Sequence, residues 1–170
     1  MNAEEPEGTQ PHETRLNWAL RTLLHTQRVA ALGTLNGQGK PFVSMVPFAI
    51  EPHRGTLVIH VSQLAPHTRH LMSDPTVSLL VMQAEVPGEP VHALPRLSLE
   101  GTAARLMPDS TDWQAAKSAY LARFPDAEMM THLGDFSFFA ITALAARQVA
   151  GFGAARSVAP EDLASVLKPR

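Results

Sequence analysis

Residues 42–50 constrain this chain more than any other segment. Taken as a strand, they set Val43, Met45 and Ala49 on one face and Phe42, Val46, Phe48 and Ile50 on the other, because successive side chains alternate. A strand apolar on both faces is covered on both sides, as in a small barrel packed by helices or by a partner subunit. Pro47 sits inside it. Lacking an N–H, it needs an edge strand or a bulge. The ladder is expected to break there, and a broken ladder leaves backbone groups free for a ligand.

The remaining chain reads as short strands between turn signals. Residues 29–35, 56–61, 76–82 and 96–105 are strand-like, and 136–144 with 147–152 form a last strand, whole or broken. Asn36-Gly37-Gln38-Gly39 and Pro52-His53-Arg54-Gly55 mark turns. A helix starts near Thr14, its presumptive cap, and carries Leu16, Ala19, Leu20, Leu23 and Leu24 on one face. Residues 66–72 form a short helix ended by Asp74-Pro75, and 84–95 form a proline-rich loop. From Asp109 or Ser110 a helix presents Trp113, Ala116, Tyr120 and Phe124 until Pro125 stops it. Residues 126–132 are a further helical segment, and 160–167 a terminal helix on Leu163, Val166 and Leu167. About six short antiparallel strands with flanking helices predict an α+β, mainly β, fold built on a small barrel.

Composition sets the class. The chain has 170 residues, 45% hydrophobic and 18% charged, with a net charge of −2. This is the profile of one globular domain. Near-neutral charge and three scattered lysines, Lys40, Lys117 and Lys168, argue against a nucleic-acid partner. Cysteine is absent, which removes disulfides, thiolate metal sites, iron–sulfur ligation and a Cys nucleophile. The acidic N-terminus lacks a signal pattern, and no apolar run reaches the ~20 residues that span a bilayer. A cytoplasmic protein with no membrane partner is expected. Residues 1–12 read as a flexible acidic tail, 13–155 as the barrel domain and 156–170 as a C-terminal tail or helix.

Motifs for common chemistries are missing. His67 and His70 have the i, i+3 spacing of a helical metal pair, but residues 56–73 contain no Asp or Glu to complete it. No metal site is expected. There is no Gly-x-Ser-x-Gly elbow, Walker loop or Gly-x-Gly-x-x-Gly, and Gly151-Phe152-Gly153 reads as a turn. Residues 59–71 are more informative. A strand end runs through Ser62 into a helix start bearing Thr68 and Arg69. Free N–H groups, a hydroxyl and a guanidinium suit a phosphate. Arg96 could reach the same place, or Arg69 and Arg96 pair with surface carboxylates.

Several stretches resemble a known pattern. Ala31-Leu32-Gly33-Thr34-Leu35 followed by residues 39–48 is similar to the opening hairpin of the FMN-binding split-barrel superfamily, which includes pyridoxamine 5′-phosphate oxidase. His67-Thr68-Arg69-His70-Leu71, then 74–81, resembles its flavin-phosphate helix and next strand, and Arg96-Leu97-Ser98-Leu99-Glu100-Gly101 the strand after that. Gly134-Asp135-Phe136 and residues 149–153 most resemble the haem-utilisation branch. The resemblance implies a split barrel, a homodimer and FMN at the subunit interface. Ser44, Met45 and Val46 would line the flavin, Val61 and Ser62 would lie beside it, and His67, Thr68 and Arg69 would face its phosphate. Arg96 stands where the oxidase has a flavin-contacting glutamine.

Departures from the pattern matter as much. The oxidase has Arg, Lys and Lys where this chain has Ser44, Ala49 and His67. Each replacement removes a positive charge near a phosphate, where charge-assisted bonds contribute roughly 1.5–3 kcal/mol. The oxidase's C-terminal substrate-binding Arg and Trp pattern is not found after Gly153, which argues against vitamin B6 oxidation. Haem-utilisation relatives ligate iron through a C-terminal histidine, and no histidine follows His132 here. The expectation is an FMN-dependent oxidoreductase with unknown substrate and electron donor. The alternatives are a haem-binding or haem-degrading protein of the same fold, with His132 or His67 as ligand, and a non-catalytic flavin carrier or sensor.

Overall fold

The computed structural model describes residues 13–168; the predicted acidic tail, 1–12, lies outside them. Helix α1 (Arg15–Thr26) starts where Thr14 caps it, its hydroxyl accepting the Asn17 N–H at 3.2 Å. The strands are β1 (Val29–Leu35), β2 (Pro41–Pro47), β3 (Ala49–Glu51), β4 (Thr56–Ser62), β5 (Thr76–Met82), β6 (Arg96–Arg105), β7 (Phe136–Val149) and β8 (Ala155–Ser157). Helix α2 (Pro66–Ser73) follows β4, α3 (Thr111–Arg123) follows β6, and α4 (Pro160–Leu167) closes the chain. Short 3₁₀ segments occupy Val91–Ala93 and Pro125–His132. There are eight strands rather than about six, because β3 and β8 have three residues each, too few to display a period.

All pairings are antiparallel, in the order β2-β1-β5-β6-β7-β4-β3, with β8 beside β7. β2 and β3 therefore stand at opposite ends of the path although only Phe48 separates them. In a flat sheet those ends would be roughly 29 Å apart at ~4.8 Å per strand, so the sheet must curl. Pro47 lies on the end strand β2, opposite Val29. The ladder changes partner one residue later, at Phe48, whose N–H donates to the Arg28 carbonyl at 3.1 Å.

The last strand is whole. Its irregularity is a bulge, with Gly101 paired to Ala143 and Glu100 to Ala145, so that Leu144 is extra. Glycine is required at 101: a Cβ there would lie 2.4 Å from the Thr142 carbonyl oxygen. Inside the curl, Leu20 and Leu24 of α1 meet Leu32, Phe48, Ile59 and Leu97. Val158, Leu163, Val166 and Leu167 join the same core, so residues beyond 155 pack with the barrel. Helix α3 covers the outer face of β4 and β7, where Val58 and Phe138 meet Ala116 and Tyr120. The two-sided covering expected for β2 is thus met at β4, whereas Val43 and Met45 on β2 are 68% and 63% exposed.

His60 lies beneath α3, stacked on Phe138 with ring centroids 4.2 Å apart, and its Nδ1 has no hydrogen-bond partner. Burial lowers its pKa to about 4, with Asp135 opposing and Lys117 adding to the shift. The unfolded chain takes up this proton near pH 6.5 and the folded chain does not, so stability falls as pH drops from 6.5 towards 4. Replacing His60 with Phe should flatten that acid limb of a urea-denaturation pH series; an unchanged slope would remove His60 as its source.

Candidate functional site

The strand-to-helix turn from β4 into α2 is held by hydroxyls. Ser62 Oγ donates to Asp135 Oδ2 at 2.8 Å and accepts the Leu64 N–H at 3.1 Å. The Gln63 N–H donates to the Asp135 carbonyl at 2.7 Å, and Thr68 Oγ1 donates to the Ser62 carbonyl at 2.6 Å. Asp135 thereby ties the start of β7 to the end of β4. Pro66 opens α2, where its missing N–H costs nothing.

Two imidazoles dock α2 on the barrel. Ser44 Oγ lies 2.9 Å from His67 Nδ1, and Thr34 Oγ1 lies 2.9 Å from His70 Nδ1. The i, i+3 spacing that suggests a metal pair instead presents each ring to a hydroxyl on β1 or β2. Among the described residues no three His, Asp or Glu side chains gather around one point. Burial lowers the His67 pKa below its ordinary value, and the neighbouring His70 lowers it further. His67 is therefore neutral at neutral pH.

The nine predicted residues divide. Ser44 and His67 meet directly, and Ser62 and Thr68 share the turn beside them. Val46 and Val61 point into the core, so they can offer a ligand only main-chain contact, while Met45 is exposed on β2. Arg69 is carried on the other side of α2. Its Nη1 donates to the Leu64 carbonyl at 3.2 Å, and it lines a cavity of about 360 Å³ with Gln63, Thr68, Met72, Arg105 and Ser137.

Arg96 does not reach Arg69 within one chain. It opens β6, and Arg105, at the cavity, closes it. Nine residues at ~3.3 Å each separate the two ends by roughly 30 Å. Arg96 Nη1 donates to the Leu94 carbonyl at 3.1 Å, so it pairs with backbone, not with a surface carboxylate. Arg105 and Ser137 were not anticipated. Each comes from a strand distant in sequence from α2, and no local pattern marks either.

A curled antiparallel sheet, parted between β2 and β3 with a strand-to-helix turn at its edge, defines a split-barrel protein. The chain belongs to the pyridoxamine 5′-phosphate oxidase family, whose pattern matches residues 16–150. It is 29% identical over 150 residues to haem oxygenase HutZ of Vibrio cholerae, covering 88% of this chain and 84% of that protein. The chloroplast haem oxygenase HOZ of Arabidopsis thaliana is 36% identical over 138 residues, 80% of this chain but only 40% of that protein. A haem-binding protein from Mycobacterium smegmatis has a similar structure, with a TM-score of 0.78 and 29% identity over 89% of this chain and 61% of that one.

An NMR titration of the His67 ring should give a pKa below 6.5. The value should rise in His70→Gln, which removes the second cause of the shift. An unshifted value in the native protein would contradict the packing of α2 described above.

Proposed function

We propose that this chain is a haem-binding protein of the split-barrel fold, acting in the cytoplasm as a homodimer and binding FMN weakly or not at all. The observation that carries this reading is the Ser44–His67 pair, a neutral contact 2.9 Å long. By resemblance, these two positions hold Arg and Lys in the flavin-dependent oxidase. A phosphate brought there would meet no fixed charge and would have to break a hydrogen bond already made. Each lost charge-assisted bond would weaken FMN binding by about tenfold or more. The flavin-dependent oxidoreductase and the flavin carrier both need a cofactor that these residues do not suit.

The same pair suits haem iron. A neutral imidazole whose Nδ1–H donates to a hydroxyl leaves Nε2 as a ligand atom of fixed tautomer and direction. The Ser44 contact allows this arrangement at His67 in the tautomer with its proton on Nδ1, whereas His132 is exposed at the end of its 3₁₀ segment. His67 is therefore the better of the two candidate ligands. Haem supplies the redox and dioxygen chemistry when bound; the protein's share is to orient the imidazole and keep it unprotonated. The similarity to two haem oxygenases and a haem-binding protein supports this reading.

Titration with haemin should give a saturable Soret change near one haem per chain. His67→Ala should weaken it at least tenfold or displace the band, and His132→Ala should leave it unaltered. Micromolar FMN binding, read by flavin fluorescence quenching, with no Soret response would reverse the assignment.

The homodimer is supported by the bare face of β2. Val43 and Leu144, each 68% exposed, line one groove with Phe42, and an end strand with an uncovered apolar face invites pairing. A second copy of this chain is the proposed occupant. Val43→Glu should shift the mass in light scattering from dimer to monomer at micromolar concentration; a wild-type monomer at that concentration would exclude the dimer.

A further inference from the structure

Helix α3 and the 3₁₀ segment Pro125–His132 lie in the connection between β6 and β7. Those two strands pair directly with each other, Arg105 opposite Phe139, so lifting residues 111–132 breaks no rung of the sheet. The apolar contacts of the segment with Ala49, Val58 and Phe138 form a cluster separate from the core inside the curl. We infer that α3 and the 3₁₀ segment form a proton-operated flap, which lifts from the outer face of β4 and β7 as the medium turns acid. The inference is independent of the haem reading.

The helix is fastened at its ends. Asp112 pairs with Arg54 at 2.6 Å, where both side chains are exposed, and such pairs contribute little to stability. At the other end Arg123 donates to the Leu24 carbonyl at 3.1 Å. Between these points the packing is loose. Ala115 and Ala116 stand over Val58, Ala104 and Ala140 beside a cavity of about 160 Å³. Atoms that line a void forfeit dispersion contacts. Segments held in this way open locally, ahead of global unfolding.

His60 supplies the trigger. Its ring is buried beneath α3, with centroids 4.2 Å from Phe138, 5.0 Å from Phe136 and 5.7 Å from Tyr120. Its Nδ1 is the one buried side-chain polar atom without a hydrogen-bond partner among the described residues. An orphaned nitrogen is a standing cost that contact with water removes. The groups around the ring do not hold a proton there. Burial lowers its pKa to about 4, against Asp135 at the start of β7 and with Lys117 of α3. Tyr120, also on α3, stays uncharged, its pKa raised to about 12 by burial and then by Asp126 of the 3₁₀ segment. Once the flap lifts, His60 meets water and takes up a proton near its ordinary value of 6.5. The closed form is therefore fully favoured above that pH. Below it, closure weakens by roughly tenfold per pH unit until the buried ring itself protonates.

Hydrogen exchange of the full-length protein, read by mass spectrometry and corrected for intrinsic exchange, tests this between about pH 6.5 and 4.5. Opening of residues 111–132 should rise roughly tenfold per pH unit, while 29–35, 76–82 and 96–105 keep their protection. Fluorescence of an anilinonaphthalene sulfonate dye should rise in parallel as Val58 and Phe138 are uncovered. His60→Phe should hold opening nearly constant across the range. Asp112→Asn, which loosens the helix without touching the proton, should raise opening by the same factor at each pH. The inference is overturned if residues 111–132 exchange in step with the strands at every pH, or if His60→Phe keeps the native pH dependence. Should that variant not fold, an NMR titration of the native His60 ring decides: protonation near pH 6.5 with α3 still protected would overturn it, and protonation only as α3 loses protection would support it.

Discussion

One residue closes this fold. Phe48 joins two strands that stand at opposite ends of a seven-strand path, and a single residue can bridge only ~7 Å. The sheet has no choice but to curl until its ends meet. Pro47, with no N–H to offer, prevents the ladder from simply continuing through that point. The result is a barrel that is closed by the chain and parted in its hydrogen bonding. Phe48 itself is fully buried in the enclosed core. From α3, the Arg123 guanidinium lies 4.9 Å from the centre of its ring. The same guanidinium donates to the carbonyls of Leu24, His25 and Gln27 at the end of α1. One cation thus ties a helix terminus to the closure point.

The closure also decides the chemistry beside it. Curling carries Ser44 on β2 against α2, where it meets His67, and sets Thr34 against His70 one helical turn on. These contacts hold the helix through neutral hydrogen bonds rather than ion pairs. Such contacts place no fixed charge between β2 and α2.

Much of this architecture was legible in the sequence, where the relevant signals were local. Thr14 as a cap, residues 96–105 as a strand and the apolar face of 160–167 all follow from period and turn chemistry within a few residues. What was illegible depended on distance. The strands β3 and β8 are too short to show a period, and the apolar pattern of β2 does not reveal that Val43 and Met45 stay exposed. Arg96 shows the limit most plainly. It shares a strand with Arg105, and only the antiparallel register with Phe139 at one end and Val149 at the other determines which arginine meets α2.

The fate of the other arginines sharpens that point. Arg21 donates to the carbonyls of Ser165, Val166 and Lys168 and pairs with Glu13 at 2.8 Å, so it caps α4 from α1. Arg156 joins Gln148, Asp162 and Asn17, binding β8, β7, α4 and α1 into one polar knot. Arg54 pairs with Asp112 at 2.6 Å. Each has a structural task, and each meets carbonyl or carboxylate oxygens that answer its charge. Arg69 and Arg105 differ. Both are exposed and border one cavity, where Arg69 meets the Leu64 carbonyl.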